Sequence, residues 1–359
     1  MTIRLARPDL GAEELAALEE VLSSGQLTMG EKVVEFEREI ARACEVPHAV
    51  AVSSGTAALH LALRALDIGP GDEVIVPAYT FPATANVAEL VGARAVLVDV
   101  EDETMNASLE AVGAAITPRT KAVMGVHLFG RALAWDGLEA IVPTGMSLIE
   151  DAAGALGARF KGRACGSLGI MGCLSFHPRK TVTTGEGGAV TTDDGDLADA
   201  VRRGRHHGIE PRGPFEILKA STNYRLSDLA CAIGIPQMRR LDTLLAARAR
   251  IAHGYNERLA ALSGRVLCPS ASAGDEHGWQ AYVVQLDRRD EVMAALRAEE
   301  IECQIGTYAL HRLGAYSDQG PFPAADRVFE RALALPLHSQ LTASDLDRVS
   351  EVLARALDA

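Results

Sequence analysis

The stretch SFHPRKTVTTGEGG, residues 175–188, lies between two apolar segments and carries a lysine at its centre, Lys180. The apolar run GIMGCLSF before it predicts a buried strand, and GGAVTT after it predicts another. Most lysines are solvated surface charges, so a lysine held between two buried strands is unusual. The GEGG turn is not a Walker phosphate loop, because no Gly-Lys-Ser/Thr sequence follows it.

A second informative segment is SSGTAAL, residues 53–59, which joins the predicted strand HAVAVSS to the predicted helix TAALHLALRAL. The first amides of a helix lack intrahelical partners and lie at its positive end, and small residues there let a phosphate approach them. Taken alone, the segment fits an ordinary capped turn equally well. Ser175, five residues before Lys180, is a further donor for the same phosphate.

Asp151 ends the apolar strand SLIED, at the carboxyl edge where ligands gather in α/β sheets. Taken alone, Glu150-Asp151 is more often a polar strand end. A carboxylate beside a pyridine nitrogen keeps that nitrogen protonated, and a desolvated amine such as Lys180 has a lowered pKa and forms Schiff bases with aldehydes. A phosphate cradle, a strand-end acid and a lysine, in this order, together predict a site for pyridoxal phosphate.

Strands alternate with helices along the chain as far as residue 194, which indicates an α/β domain with a largely parallel sheet. The later part combines long helices with a few strands and is typical of a smaller α+β domain. With 359 residues, the chain is long enough for two domains. We expect a large cofactor-binding domain over residues 1–240 and a small C-terminal domain over residues 241–359.

Composition excludes several classes of protein. A net charge of −13 argues against a nucleic-acid partner, which would need a basic face. The six cysteines form no CxxC pair, and the histidines at positions 177, 206 and 207 form no metal-binding set, so no metal is expected. We find neither a signal-like apolar region nor a run of about 18 apolar residues, and we expect a cytoplasmic protein without a membrane contact.

The order of these segments resembles the nucleotide-sugar aminotransferases of the DegT/StrS family, which are pyridoxal-phosphate enzymes of fold type I. The resemblance covers nearly the whole chain and implies a mainly parallel seven-stranded sheet between helices. The segments that carry it are GQLTMG with VVEFEREIA, SSGTAALHLAL, GDEVIVPAYTFPATANV, IEDAAGALGA, SFHPRKTVTTGEGGAVTTDD, TNYRLSDLACAIGIPQMRRLD and ALALPLHSQLT.

The resemblance implies a role for each matching residue. Lys180 forms the Schiff base with the cofactor and later carries the proton between Cα and C4′, while Asp151 pairs with the pyridine nitrogen. Phe81 stacks on the ring face. Asn223 reaches the phosphate from the partner subunit, so the resemblance also implies an obligate homodimer with shared active sites. The implied phosphate contacts within one chain are Gly55, Thr56, Ala57 and Ser175, and the implied substrate contacts are Thr28, Arg225 and His311.

One position departs from the family pattern. The family commonly carries Gln or His three residues after the aspartate, where it contacts the cofactor, and this chain has Gly154. Water or another residue would have to supply that contact.

The resemblance implies transfer of an amino group, usually from L-glutamate, to a ketone of a nucleotide-linked deoxy sugar. An acceptor such as a keto-cyclitol is the nearest alternative, because acceptors are recognised by loops. The dehydratases of the family replace the lysine with histidine, and Lys180 argues against them. A non-catalytic regulatory member would be expected to lose Lys180 or Asp151, and both are present.

Overall fold

The computed structural model of the chain describes residues 2–210 and 215–358. The helices are α1 (Ala12–Ser24), α2 (Glu31–Ala43), α3 (Gly55–Ala65), α4 (Ala83–Leu90), α5 (Leu109–Ala115), α6 (Trp135–Ile141), α7 (Gly195–Arg205), α8 (Asp228–Arg239), α9 (Leu241–Leu259), α10 (Arg289–Ala298), α11 (Pro323–Arg331) and α12 (Ala343–Asp358). The strands are β1 (His48–Val52), β2 (Glu73–Pro77), β3 (Tyr79–Thr80), β4 (Arg94–Val98), β5 (Thr120–Val126), β6 (Ser147–Asp151), β7 (Arg159–Phe160), β8 (Arg163–Ala164), β9 (Met171–Ser175), β10 (Gly188–Thr192), β11 (Val266–Leu267), β12 (Tyr282–Leu286), β13 (Gln304–Ile305), β14 (Tyr308–Ala309) and β15 (Ala332–Leu335).

The central sheet has seven strands in the order β1-β10-β9-β6-β5-β2-β4. Strand β10 runs antiparallel to both of its neighbours, and the pairs from β9 to β4 are all parallel. Asp151 lies opposite Val126 on one side and Cys173 on the other, so the acid sits at the carboxyl edge of the parallel part. The α/β class and the mainly parallel seven-stranded sheet predicted from the sequence are confirmed.

Both faces of this sheet are buried, which explains the near-continuous apolar strands. Along β1, Val50 and Val52 face one hydrophobic core together with α3, α4 and α7. Ala49 and Ala51 face a second core together with α2, α6 and α8. This alternation is the two-residue period of a strand covered on both sides. Helices therefore flank the sheet and leave its carboxyl edge for the site.

The C-terminal part builds a four-stranded antiparallel sheet in the order β11-β12-β15-β13, covered by α9, α10 and α12. Helix α9 begins at Leu241, directly after the expected boundary, and the division of the chain at residue 240 stays a prediction. Ile3 joins this core and forms a bridge with Ile301. Strand β14 pairs with β3, so the C-terminal part also borders the turn that carries Phe81.

Pro236 lies inside α8 without ending it, since the helix continues to Arg239. The proline lacks the amide that would bond to a carbonyl one turn earlier. The side chain of Gln237 donates to the carbonyl of Ile233 at 2.7 Å within the same turn. The helical region breaks instead at Arg240.

None of the helices over the described residues is both long and apolar enough to cross a membrane.

Candidate active site

The N-terminus of α3 forms a cradle of amide groups beside the end of β9. Ser54 caps the helix, and its hydroxyl accepts a hydrogen bond from the amide of Ala57 at 3.1 Å. The amides of Gly55 and Thr56 remain available at the positive end of the helix. A Cβ atom on Gly55 would lie 2.9 Å from Cβ of Ser175. Glycine at this position therefore brings the free amides and the Ser175 hydroxyl together, as an anion site needs.

Asp151 is buried at the end of β6, and two donors fix its carboxylate. The hydroxyl of Thr84 donates to Oδ2 at 2.7 Å, and the amide of Ala153 donates to Oδ1 at 3.2 Å. Charge-assisted bonds of this kind are stronger than bonds between neutral groups, so they hold the carboxylate in one orientation. No local pattern marks Thr84 as part of the site, because its contact with Asp151 joins residues far apart in the chain.

Phe81 lies on the turn between β3 and α4 and is 62% exposed. Its carbonyl accepts a hydrogen bond from the amide of Thr84 at 3.2 Å. The ring lies edge-on to Tyr308 of β14, with centroids 6.4 Å apart. One turn thus carries both the exposed ring that can cover a ligand and the hydroxyl that orients Asp151.

Lys180 lies in the tight turn after β9, where its amide donates to the carbonyl of His177 at 2.8 Å. Burial lowers the pKa of the Lys180 amine, the charge of Asp151 opposes this shift, and the neighbouring Arg179 adds to it. A larger fraction of neutral amine follows, and only the neutral amine attacks a carbonyl.

Glu150 and His127 form a fully buried pair directly behind Asp151. Nδ1 of His127 accepts the amide of Leu133 at 3.0 Å, so Nε2 carries the proton and donates to Glu150 at 3.0 Å. The same carboxylate accepts the amides of Gly166, Leu168 and Gly169. His127, Glu150 and Cys165 are spaced closely enough for a metal ion, but the carboxylate is already saturated with donors. We assign the pair to the structural support of the strand end.

The segment around Asn223 runs beside the cradle. The carbonyl of Tyr224 accepts the amide of Ser53 at 2.8 Å, immediately before the cap of α3. Asn223 is exposed, and its Oδ1 accepts the amide of Arg225 at 3.3 Å. Thr28 is exposed and forms a bridge with Ser227, which brings it to the same surface. The structure thus places Asn223, Thr28 and Arg225 in adjoining segments.

His311 follows β14, and its ring is turned towards α11. Nε2 lies 3.0 Å from the carboxylate of Asp326, and the ring packs edge-on against Phe322. Arg312 binds the same carboxylate. The contacts of His311 over the described residues therefore belong to the packing of α11, and its contact with a substrate stays a prediction.

These residues fit a pyridoxal phosphate molecule. The free amides of Gly55 and Thr56 and the Ser175 hydroxyl suit its phosphate, and Asp151 suits its pyridine nitrogen. Lys180 suits the aldehyde carbon. Fold and site together define a pyridoxal-phosphate-dependent aminotransferase. The chain belongs to the DegT/DnrJ/EryC1/StrS aminotransferase family, which it matches over residues 8–354.

The similarity to individual members extends over whole chains. GDP-perosamine synthase of Caulobacter vibrioides is 39% identical over 364 residues, which cover 99% of this chain and 98% of that protein. The crystal structure of the aminotransferase TlmJ from Streptoalloteichus hindustanus has a TM-score of 0.95 and 34% identity, with 99% of both chains covered. Spr1654 from Streptococcus pneumoniae, in its PLP form, has a TM-score of 0.95 at 28% identity, with 100% of this chain and 99% of that chain covered. The predicted family, aminotransferase class and pyridoxal phosphate cofactor are confirmed.

Proposed function

We propose that this aminotransferase moves an amino group from L-glutamate to a keto group of a nucleotide-linked deoxy sugar, giving an aminosugar nucleotide. The observation that carries this proposal is Lys180, an amine of lowered pKa beside the Asp151 carboxylate. The full-length similarity to a protein named GDP-perosamine synthase supports a nucleotide sugar as the acceptor.

The cofactor, when bound, supplies the electron sink for the transfer. The residues of the chain would bind the cofactor and move the protons. Lys180, neutral more often than an exposed lysine, would accept the proton from the donor's Cα through Nζ and release it within the same half-reaction. In the second half-reaction it would move a proton in the opposite direction. Asp151, oriented by Thr84, would pair with the ring nitrogen and favour its protonated form. The amides of Gly55 and Thr56 would hold the phosphate.

The proposal includes a homodimer with shared active sites, in which Asn223 acts on the site of the other copy. Exposed apolar side chains on the segments next to Asn223 and Thr28 support a surface covered by a second copy. Phe215 is 79% exposed in spite of its size. The other exposed apolar residues of these segments are Leu27, Met29, Ile217 and Leu218. Patches of this kind on a soluble surface are typical of protein interfaces.

We also place the enzyme in the cytoplasm. Its six cysteines are free thiols, and all except Cys268 are buried. Unpaired thiols are typical of proteins from reducing compartments.

The test is a panel of keto-sugar nucleotides and keto-cyclitols assayed with glutamate for the release of 2-oxoglutarate. We expect activity on the sugar nucleotides and none after Lys180→Ala, which should also lack the visible absorbance of the lysine-bound cofactor. Activity on cyclitols alone would overturn the sugar assignment. Activity with other amino acids but not with glutamate would overturn the assignment of the donor.

A further inference from the structure

Residues 277–281, which we call the strap, cross from the C-terminal part of the chain to the loop after β5. The amide of Gly278 donates to the carbonyl of Gly130 at 2.8 Å, and the amide of Gln280 donates to the carbonyl of Phe129 at 3.1 Å. Gly130 has a φ of +95°, and a Cβ atom there would lie 3.0 Å from the amide nitrogen of Trp279. Only glycine permits this approach, so the strap is seated tightly.

A buried arginine fixes the strap from the other side. Nε of Arg248 donates to the carbonyl of Trp279 at 2.7 Å, and Nη2 donates to the carbonyl of Gln280 at 2.7 Å. Burial lowers the pKa of the Arg248 guanidinium to about 10. Trp279 has a φ of +46°, which is strained for a residue with a large side chain. Surrounding bonds must hold such a conformation, and Arg248 supplies two of them.

The seated strap places the side chain of Gln280 between the two segments that carry the catalytic groups. Its Nε2 donates to the carbonyl of Arg179 at 3.2 Å, next to Lys180. A Cβ atom built on Gly154, three residues after Asp151, would lie 3.3 Å from Oε1 and 3.5 Å from Cγ of Gln280. Gln280 therefore fills the space that the absent side chain of Gly154 leaves open.

We propose that Gln280 is a positioning residue for Lys180. It ties the backbone of Arg179 to the strap and thereby fixes the lysine relative to the Asp151–Gly154 segment. The place beside Gly154 is thus filled by a side chain from the C-terminal part of the chain. This role requires a lysine-bound cofactor and is independent of which donor or acceptor the enzyme uses.

The first test compares Gln280→Met, which keeps the bulk but removes the amide, with Gln280→Glu, which keeps the shape but cannot donate when ionised. The readout is the pH titration of the visible absorbance of the lysine-bound cofactor, which needs neither substrate. We expect the midpoint to move by about half a pH unit in both variants, and kcat to fall about fivefold with KM within about twofold. An unchanged midpoint and kcat in both variants would overturn the proposal. A lower melting temperature of the cofactor-free protein with an unchanged midpoint would also overturn it, because the role would then be structural only.

The second test asks whether positions 154 and 280 share one space. Gly154→Gln alone should lower cofactor occupancy, because its Cβ meets Gln280. Combined with Gln280→Ala, it should recover at least half of the lost occupancy, measured by absorbance at saturating pyridoxal phosphate. A double variant no better than Gly154→Gln would overturn the shared-space assignment. If the amino transfer to sugars fails while these spectra behave as expected, the positioning role stands and only the proposed acceptor falls.

Discussion

The hydroxyl of Thr84 donates a 2.7 Å hydrogen bond to the carboxylate of Asp151. Thr84 also bonds through its amide to the carbonyl of Phe81, so one residue orients the acid and anchors the turn that carries the exposed ring. The orientation of the acid and the position of the exposed aromatic ring are therefore both set by one residue.

We predict that Thr84→Val weakens cofactor binding, because the nearly isosteric change removes a donor to a buried carboxylate. Hydrogen bonds to charged groups contribute about 1.5–3 kcal/mol, so the Kd of the cofactor-free protein for pyridoxal phosphate should rise about tenfold or more. Thr84→Ser keeps the hydroxyl, so its Kd for pyridoxal phosphate should stay within about threefold of that of the parent. Equal affinities of the valine and serine variants would contradict the role of the hydroxyl.

Gly55→Ala should damage the phosphate cradle. The new Cβ would lie 2.9 Å from Cβ of Ser175, so the helix end and β9 would have to separate. Overpacking of this kind costs about 1–3 kcal/mol, and we expect at least about a fivefold loss of affinity for pyridoxal phosphate. The affinity for pyridoxal, which lacks the phosphate, should fall much less. Gly113→Ala, in the helix α5, is the matched control, because its Cβ would meet nothing within 4 Å. Similar losses for both ligands would contradict the assignment of the cradle.

Glu150→Gln should destabilise the fold without changing the groups that contact the cofactor. The carboxylate accepts three amides and the ring of His127, and the NH2 group of glutamine would face those donors. An unsatisfied buried group of this kind costs about 1–3 kcal/mol, which urea unfolding of the cofactor-free protein should detect. The exposed Glu139→Gln should stay within about 0.5 kcal/mol of the parent. A stability loss no larger than that of the control would show that the pair is dispensable.

His277 should make the fold sensitive to mild acid. Its ring stacks on Trp279 and its Nδ1 accepts the amide of that residue, which requires the neutral ring. Burial lowers the pKa of His277 from 6.5 to about 3, with the charge of Arg131 adding to the effect. Between these values the unfolded chain binds a proton that the folded chain does not, so stability falls as the pH falls below 6.5.

Between pH 7.5 and pH 5, this one residue should contribute a loss of up to about 2 kcal/mol. Urea unfolding of the parent and of His277→Asn at both pH values shows how much less the unfolding free energy of the variant changes with pH. The control variant His207→Asn, at an exposed site, should show the same change in unfolding free energy between the two pH values as the parent. Parallel pH dependences for the parent and His277→Asn would contradict the prediction.

The parts of the site that the sequence predicted are the parts with local signals. The cradle, Asp151 and Lys180 each stand at the junction of an apolar run with a polar or small-residue turn. The order of these junctions along the chain indicated the fold. Contacts between distant segments had no such signal. Gln280 meets Arg179 across 101 residues of chain, and nothing in WQAYVVQLD marks its first glutamine as part of the site.

Burial within a single helix was also only partly predictable. In α2, Phe36 and Ile40 are buried together with Val33, whereas the neighbouring Val34 is 46% exposed. Either valine lies near the edge of the apolar stripe, so the packing against α8 decides which one turns inward. A one-residue shift of this kind depends on the partner helix and not on the periodicity.

The bridge between Ile3 and Ile301 has a consequence for how the protein is made. Ile3 is buried in the core of the C-terminal part, so its partners are translated almost last. During synthesis the central sheet can assemble while the ribosome is still at work, since its strands end at Thr192. The segment that carries Ile3 therefore cannot take its final position until Ile301 and the strands around it have been translated.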